Sequence, residues 1–449
     1  MATKFVSKSG PSGSVIDLAR KARVASRSLA RSGADVRNDI LRATAAALNQ
    51  RSAEILEANR ADVDAARDML QSGQLSQAAF KRLTLDQSKL RDMVSGVEQV
   101  AALDDPVGDV SLETELDDGL TLYRVTCPIG VIGVIFESRP DALVQISSLA
   151  IKSGNGAILK GGAEAERTNR KLFTILGEAI SAAGLSSEGL QLLETREDVA
   201  ALLDANQYVD LIVPRGSNTL VRYIQDNTRI PVLGHAEGIC HVYVHRSADL
   251  AKALDIIIDA KTTYPAACNA VETVLIDKEI ASGFLPALVD RLRAAKVGIR
   301  CEQQWIDRLE LKGVSAATEE DWHTEYCDMI VAIKVVDGLA EAIEHINHYG
   351  SNHTDAMVTE DQAAFETFFV EVDSAGVYLN ASTRFADGYR YGFGAELGIS
   401  TGKLHPRGPV GLEGLVSYKY KLVGNGQTVA MYSGEGARLF KHAKRSGQI

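Results

Sequence analysis

The chain has 449 residues, 45% hydrophobic and 24% charged, which excludes a mainly disordered polymer and leaves length for two or three ordinary domains. Its 48 Lys and Arg stand against 59 Asp and Glu, a formal charge of −11 without a basic stripe, so nucleic acid is not an expected partner. Five widely spaced cysteines, at 127, 240, 268, 301 and 327, form no C-x-x-C pair. They argue against a disulfide framework or a zinc site and for free thiols in a reducing compartment, the cytoplasm.

The opening segment, MATKFVSKSGPSGS, has no apolar core of a secretory signal. No run approaches the roughly 20 apolar residues that span a bilayer. From about residue 14 to 103 the pattern is helical: Leu41, Ala45 and Leu48 share a face, as do Leu90, Met93, Val94 and Val97, with the polar stretch Gln71-Ser72-Gly73-Gln74 as a connection. Around residue 119 the pattern changes. Leu120, Leu122 and Tyr123 lead into Cys127-Pro128-Ile129-Gly130, and Val131 through Phe136 then form a continuous apolar run, the signature of a strand buried on both faces of a parallel sheet. Strand-like runs follow at 157–160, 190–194, 211–214, 242–245, 273–277, 330–336, 356–359 and 377–380, with helical segments such as 167–183, 250–261, 284–295 and 340–349 among them. This alternation predicts an α/β protein with mainly parallel sheets. The strands are too many for one sheet, so two α/β domains are expected, with a break near Pro231-Val232-Leu233-Gly234.

Three segments carry candidate chemistry. Cys268 sits in Tyr264-Pro265-Ala266-Ala267-Cys268-Asn269-Ala270, a loop between a predicted helix and strand. There a thiolate is an accessible nucleophile, neighbouring backbone N–H groups can stabilise an oxyanion, and no metal is needed. A buried, inert thiol is the alternative reading. Glycine turns follow two strand-like runs: Lys160-Gly161-Gly162, and Arg215-Gly216-Ser217 with Ser217 as a helix N-cap. Each suits a phosphate or a plain βα turn, and neither is the G-x-G-x-x-G dinucleotide fingerprint. The third segment is Asn380-Ala381-Ser382-Thr383-Arg384-Phe385, where hydroxyls and a guanidinium leave a strand end and suit a carboxylate or phosphate; an exposed loop with an ion pair is the alternative. Lys403, His405 and Arg407 form a further cationic group or a capping loop.

These motifs together resemble a known family. Ile132-Gly133-Val134-Ile135-Phe136-Glu137-Ser138-Arg139-Pro140-Asp141, Ser153-Gly154-Asn155-Gly156 with Lys160-Gly161-Gly162, and Pro214-Arg215-Gly216-Ser217 are similar to signatures of gamma-glutamyl phosphate reductases, also called glutamate-5-semialdehyde dehydrogenases, of the aldehyde dehydrogenase superfamily. So are Gly234-His235-Ala236-Glu237-Gly238-Ile239-Cys240-His241, Tyr264 through Glu272, the 380–385 cluster and Gly394-Ala395-Glu396-Leu397-Gly398-Ile399-Ser400-Thr401, all in family order. Glu-Ser-Arg-Pro-Asp and Tyr-Pro-Ala-Ala-Cys-Asn look closest to the reductase half of bifunctional pyrroline-5-carboxylate synthetases. The length leaves no room for a kinase half, so a free-standing reductase is expected.

The resemblance implies an aldehyde-dehydrogenase-like fold of two mainly parallel α/β domains with a protruding β-arm for oligomerisation. Residues 1–232 would form the N-terminal helices and nucleotide-binding domain, 233–405 the catalytic domain, and 406–449 a return to the first domain and arm. The arm would combine 112–126 with 410–423. The implied reaction is NADPH-dependent reduction of L-glutamyl 5-phosphate to glutamate 5-semialdehyde through a Cys268 thioester, the second step of proline synthesis. The resemblance further implies a homo-oligomer, dimer or tetramer, and a glutamate 5-kinase as a candidate partner. Lys160 matches the adenosine ribose ligand, Gly216 and Ser217 the turn under the pyrophosphate, and Glu325 the nicotinamide-ribose ligand; Gly161, Gly162 and Arg215 belong with them. By charge, Arg384 and Lys403 suit the phosphate or α-carboxylate, and Glu137 and Asp141 the α-ammonium. Arg139, Asn269, Asn380, Ser382 and Thr383 complete the expected substrate site.

Two positions depart from relatives. His235 stands where hydrolytic aldehyde dehydrogenases keep a glutamate base, which favours reduction of an acyl phosphate, although a register shift would bring in Glu237. Ala163 replaces a lysine near the NADPH 2′-phosphate, which leaves that charge to Lys160 or Arg167. An aldehyde-oxidising or acyl-CoA-reducing relative and a catalytically silent scaffold are the competing readings.

Overall fold

A computed structural model describes residues 12–195, 197–234 and 237–445. The chain divides into two compact units, one of residues 1–216, 220–233 and 411–449, the other of 217–219 and 234–410. Among the described residues no helix is long and apolar enough to cross a membrane.

The first unit opens with helices α1 (Ser12–Arg31), α2 (Ala34–Gln50), α3 (Ser52–Gln71), α4 (Gln77–Leu83) and α5 (Gln87–Ala102). Short polar caps start the last two, with Ser76 accepting from Ala79 N–H and Asp86 from Lys89 N–H. Val15, Ala19 and Ala22 recur at helical spacing on α1 and pack on Val131, Ile158 and Ile212 of the sheet.

After β1 (Val110–Asp117) and β2 (Leu120–Pro128) come β3 (Val131–Phe136), α6 (Pro140–Lys152), β4 (Gly156–Lys160), α7 (Glu166–Ala182), β5 (Leu190–Leu193), α8 (Glu197–Leu203), β6 (Leu211–Arg215) and α9 (Asn218–Asp226). Four of these strands form a parallel sheet in the order β5-β4-β3-β6. All six residues of β3 are buried, as its unbroken apolar run requires, and so are all five of β4, including the Lys160 that ends it. Gly154, at φ +72°, ends α6 in the left-handed conformation that a C-terminal cap needs.

The second unit contains β7 (Cys240–Val244), α10 (Leu250–Thr262), β8 (Val271–Asp277), α11 (Lys278–Ala294), β9 (Gly298–Cys301), α12 (Gln303–Leu309), β10 (Ser315–Ala316), α13 (Glu319–Trp322), β11 (Ile330–Val336), α14 (Leu339–Tyr349), β12 (Thr354–Val358), α15 (Gln362–Glu371) and β13 (Gly376–Leu379). Seven of its strands form a second parallel sheet, β10-β9-β11-β8-β7-β12-β13. Val242, Val274, Ile276 and Ile333 of the sheet pack with Leu285 and Leu288 of α11. That helix begins at Lys278 behind an Asp277 cap, earlier than the 284 expected from the sequence, and carries Pro286 inside it. A small antiparallel ladder of β14 (Gly398–Ser400) and β15 (Gly408–Val410) follows.

The chain then returns to the first unit. The buried amide of Asn155 holds the return, donating to Leu415 O at 2.8 Å and accepting from Gly130 N–H at 2.8 Å. Strand β16 (Val416–Val423) pairs antiparallel with β2, and β17 (Ala443–Arg445) with β1, giving the sheet β16-β2-β1-β17. Strand β16 starts at Val416 rather than at the 410 expected from the sequence, because residues 412–415 form a 3₁₀ turn with Leu412, Gly414 and Leu415 buried. The fold is thus α/β, with two parallel sheets and a separate antiparallel four-stranded sheet.

Candidate active site

The nucleophile loop lies within the second unit, between the end of α10 and the start of β8. Cys268 is half-buried and its thiol is free. Turn hydrogen bonds shape the loop, from Ala267 N–H to Tyr264 O at 3.1 Å and from Ala270 N–H to Ala267 O at 2.9 Å. Three neighbours then clamp it. Asn269 Nδ2 donates to Ala386 O at 2.8 Å, Thr383 Oγ1 donates to Asn269 O at 2.7 Å, and Cys240 Sγ donates to Cys268 O at 3.3 Å. Gly238 completes the clamp by close approach, since a Cβ there would lie 2.1 Å from Cys268 O and 2.5 Å from its Cα.

Arg384 lies in the same cluster. Ser382 caps the short turn 383–385, and the Arg384 guanidinium sits 5.9 Å from the centre of the Tyr264 ring. Arg384 is only 8% exposed, and its Nε is buried without a hydrogen-bond partner, as is Asn269 Oδ1. Burial, helped by Arg390, lowers the pKa of Arg384, while the Cys268 thiolate acts in the opposite direction. Unpaired buried donors and acceptors are rare in proteins, and two beside one half-buried thiol form a ready receptor for an anion and an N–H donor.

The other expected substrate residues each have a defined local setting. Both side-chain atoms of Asn380 are committed to the Thr359 backbone, at 3.0 and 2.9 Å. The Lys403 side chain is 70% exposed and paired with Asp373, which also pairs with Arg407. In the first unit, Arg139 precedes α6, Asp141 is exposed on its first turn, and the Glu137 carboxylate covers Gly216, where a Cβ would meet it at 2.6 Å. His235 lies outside the described residues, and Glu237 is half-buried.

The glycine turns close β4 and β6. Lys160 ends β4, 7% exposed, with its Nζ against Gly161 O. A Cβ on Gly161 would lie 2.3 Å from Asn169 Nδ2, and one on Gly162 2.1 Å from Glu164 Oε1. Glu164 in turn accepts from Ser138 N–H at 2.7 Å and Oγ at 2.6 Å, pinning the β3–α6 turn with Ser138 at φ +44°. Arg215 ends β6, and Gly216 and Ser217 lead into α9, whose first-turn N–H groups suit a phosphate. Asn218 Nδ2 donates to Glu325 Oε2 at 3.1 Å, which orients that carboxylate. Arg167 is exposed and pairs with Asp62.

The profile of the aldehyde dehydrogenase family matches residues 7–306. The chain belongs to this family. Within it, the chain falls among the gamma-glutamyl phosphate reductases: the one from Trichormus variabilis is 52% identical over 429 residues, covering 96% of this chain and 98% of that one. The one from Cyanothece sp. is 55% identical over 426 residues, covering 95% and 97%. The crystal structure of the Thermotoga maritima enzyme matches with a TM-score of 0.89 at 40% identity, over 92% of this chain and 99% of that one. Aldehyde dehydrogenases use NAD(P).

Gly238, Cys240, Glu164 and the buried pair Lys261–Glu272 are not legible as site residues in the sequence, because the packing of the 238–240 segment on Cys268 has no local signal.

Proposed function

We propose that the chain reduces L-glutamyl 5-phosphate to L-glutamate 5-semialdehyde with NADPH, releasing phosphate through a Cys268 thioester, as the second step of proline biosynthesis from glutamate. The observation that carries this reading is the buried guanidinium of Arg384, its Nε unpartnered, in the clamp that holds Cys268. The Cys268 thiolate attacks the acyl carbon, the bond to the phosphate oxygen breaks, and the guanidinium takes up the charge of the departing phosphate. Asn269 Oδ1 accepts from the substrate ammonium. Lys160 and the turns at Gly161-Gly162 and Arg215-Gly216-Ser217 hold the dinucleotide, with Glu325 on the nicotinamide ribose. A nicotinamide held there would supply the hydride that reduces the thioester carbon. The thiolate is then released with the aldehyde.

The reverse reaction tests this directly. Oxidation of glutamate 5-semialdehyde by NADP should require inorganic phosphate, and full turnover without it would overturn the proposal. Replacing Arg384 by Met should lower kcat about 100-fold or more, because one preorganised charge stabilising the leaving group is gone. The melting temperature should hold or rise, because burial already disfavours the charged guanidinium despite Asp387 and Asp259 nearby.

Lys160 and Arg167 support the preference for NADPH, and position 163 provides its test. Ala163→Lys should tighten NADPH binding about 3-fold, the scale of an exposed ion pair, in a nucleotide fluorescence titration. An unchanged Kd would show that residue 163 does not face the 2′-phosphate. Tyr418, Tyr420 and Leu422 are exposed on β16, at one edge of the arm sheet, and support assembly into a homo-oligomer through the arm. Five free cysteines support a cytoplasmic location, where a glutamate 5-kinase would supply the labile substrate.

A further inference from the structure

The nucleophile loop is closed at its base by two charges with no access to water. Lys261, in the last turn of α10, and Glu272, near the start of β8, pair at 2.6 Å with both side chains 0% exposed. The pair therefore brackets the segment that carries Cys268. It also reaches a second segment. The other Glu272 oxygen accepts from Cys327 N–H at 3.4 Å, and Lys261 Nζ lies 5.9 Å from the centre of the Tyr326 ring. Tyr326 is anchored by its hydroxyl, which donates to Asp321 at 2.6 Å, and Cys327 holds the left-handed conformation at φ +52°. Glu325, next in the chain to Tyr326, carries the carboxylate oriented by Asn218.

We propose that Lys261 and Glu272 are positioning residues: a buried two-armed staple that fixes the Cys268 loop against the 325–327 loop. The proposal rests on the roles assigned above to Cys268 and Glu325. Stability alone does not account for the pair, because a buried ion pair gains little over a well-packed apolar pair of the same size. A carboxylate does what an apolar group does not. Its two oxygens point to two partners on separate segments, so the distance between those segments is set by bond lengths rather than by soft packing. Burial pushes the Glu272 carboxyl up to about 7 against the pull of Lys261, consistent with a pair held away from water. A thiol that must present an acyl group for hydride transfer needs such a fixed frame, since misplacement by about 1 Å costs on the order of 10²-fold in rate.

The test is the double variant Lys261→Met/Glu272→Leu in the full chain, which keeps the volume and removes both charges. Its melting temperature should be unchanged or higher. Amide hydrogen exchange should rise in both 263–270 and 325–328. In the phosphate-dependent reverse reaction, kcat should fall about 10- to 100-fold and KM for NADP should rise about 5-fold, with KM for the aldehyde within about 2-fold. Wild-type exchange in either segment, or a wild-type kcat, would overturn the staple. Should the double variant fail to fold, Glu272→Asp, shorter by one methylene, must show the same division between kcat and KM, and wild-type kinetics there overturn the proposal equally. Failure of the wild-type protein to acylate Cys268 would instead defeat the proposed reaction, while the exchange measurement would still decide the staple.

Discussion

Cys268→Ala is expected to abolish turnover, a loss on the order of 10⁶ when a covalent nucleophile is removed. Folding should survive. The contacts that brace the loop run through the Asn269 amide, the Asn269 and Cys268 carbonyls and the glycine contact at 238, so none depends on the lost sulfur. Removing one half-buried atom costs at most about 1 kcal/mol. Nucleotide binding should also survive, because none of the residues proposed above to hold the dinucleotide is altered. The decisive measurement is the mass of the protein mixed with the acyl phosphate and no nucleotide. Wild type should gain a glutamyl group on the peptide that contains residue 268, and the variant should gain none. Reductase activity persisting in the variant would exclude the thioester mechanism.

Much of this architecture was legible before any coordinates, and what escaped did so for definite reasons. The central strand of the first parallel sheet announces itself because both its faces are buried, so Val131 through Phe136 carry no polar interruption, and the runs at 157–160 and 330–336 each admit a single lysine, Lys160 and Lys334. Strand β17 has no such signal. Its three residues are all exposed, and it is held to β1 partly by Arg445 pairing with Glu115 and Glu113. Cys268, Asn269, Thr383 and Arg384 could be proposed from residue type and chain position, and the structure brings these four together through hydrogen bonds and ring contacts. Ion pairs across the fold are not legible in the same way: Lys403 pairs with Asp373, a partner 30 positions away whose proximity depends on the completed fold. The buried pair Lys261–Glu272 gives no sequence signal at all, since charged side chains are rarely buried and residue type alone does not mark the exceptions.

Gly238→Ala is expected to lower kcat about 100-fold, although it adds a single methyl group. The backbone conformation at 238 is not the difficulty. The added carbon would fall 2.1 Å from Cys268 O and 2.6 Å from its carbonyl carbon, and these are backbone atoms that cannot rotate aside. Nor can the strand approaching β7 withdraw freely, because Ile239 N–H donates to Ser351 Oγ at 2.8 Å and Cys240 Sγ is bonded to the same Cys268 carbonyl. The strain is relieved most directly by shifting the Cys268 peptide, which moves the sulfur relative to Arg384. Overpacking of this kind costs about 1–3 kcal/mol, small beside the expected kinetic loss. Gly283→Ala provides the control. Gly283 is exposed on α11 with nothing within 4 Å of its Cβ position, so the same change there should leave kcat alone and stabilise the helix by up to about 1 kcal/mol. If both alanine variants turned over at the wild-type rate, the Cys268 loop would not be held by the close approach of Gly238, and the position of the sulfur would have to be set by the remaining hydrogen bonds alone.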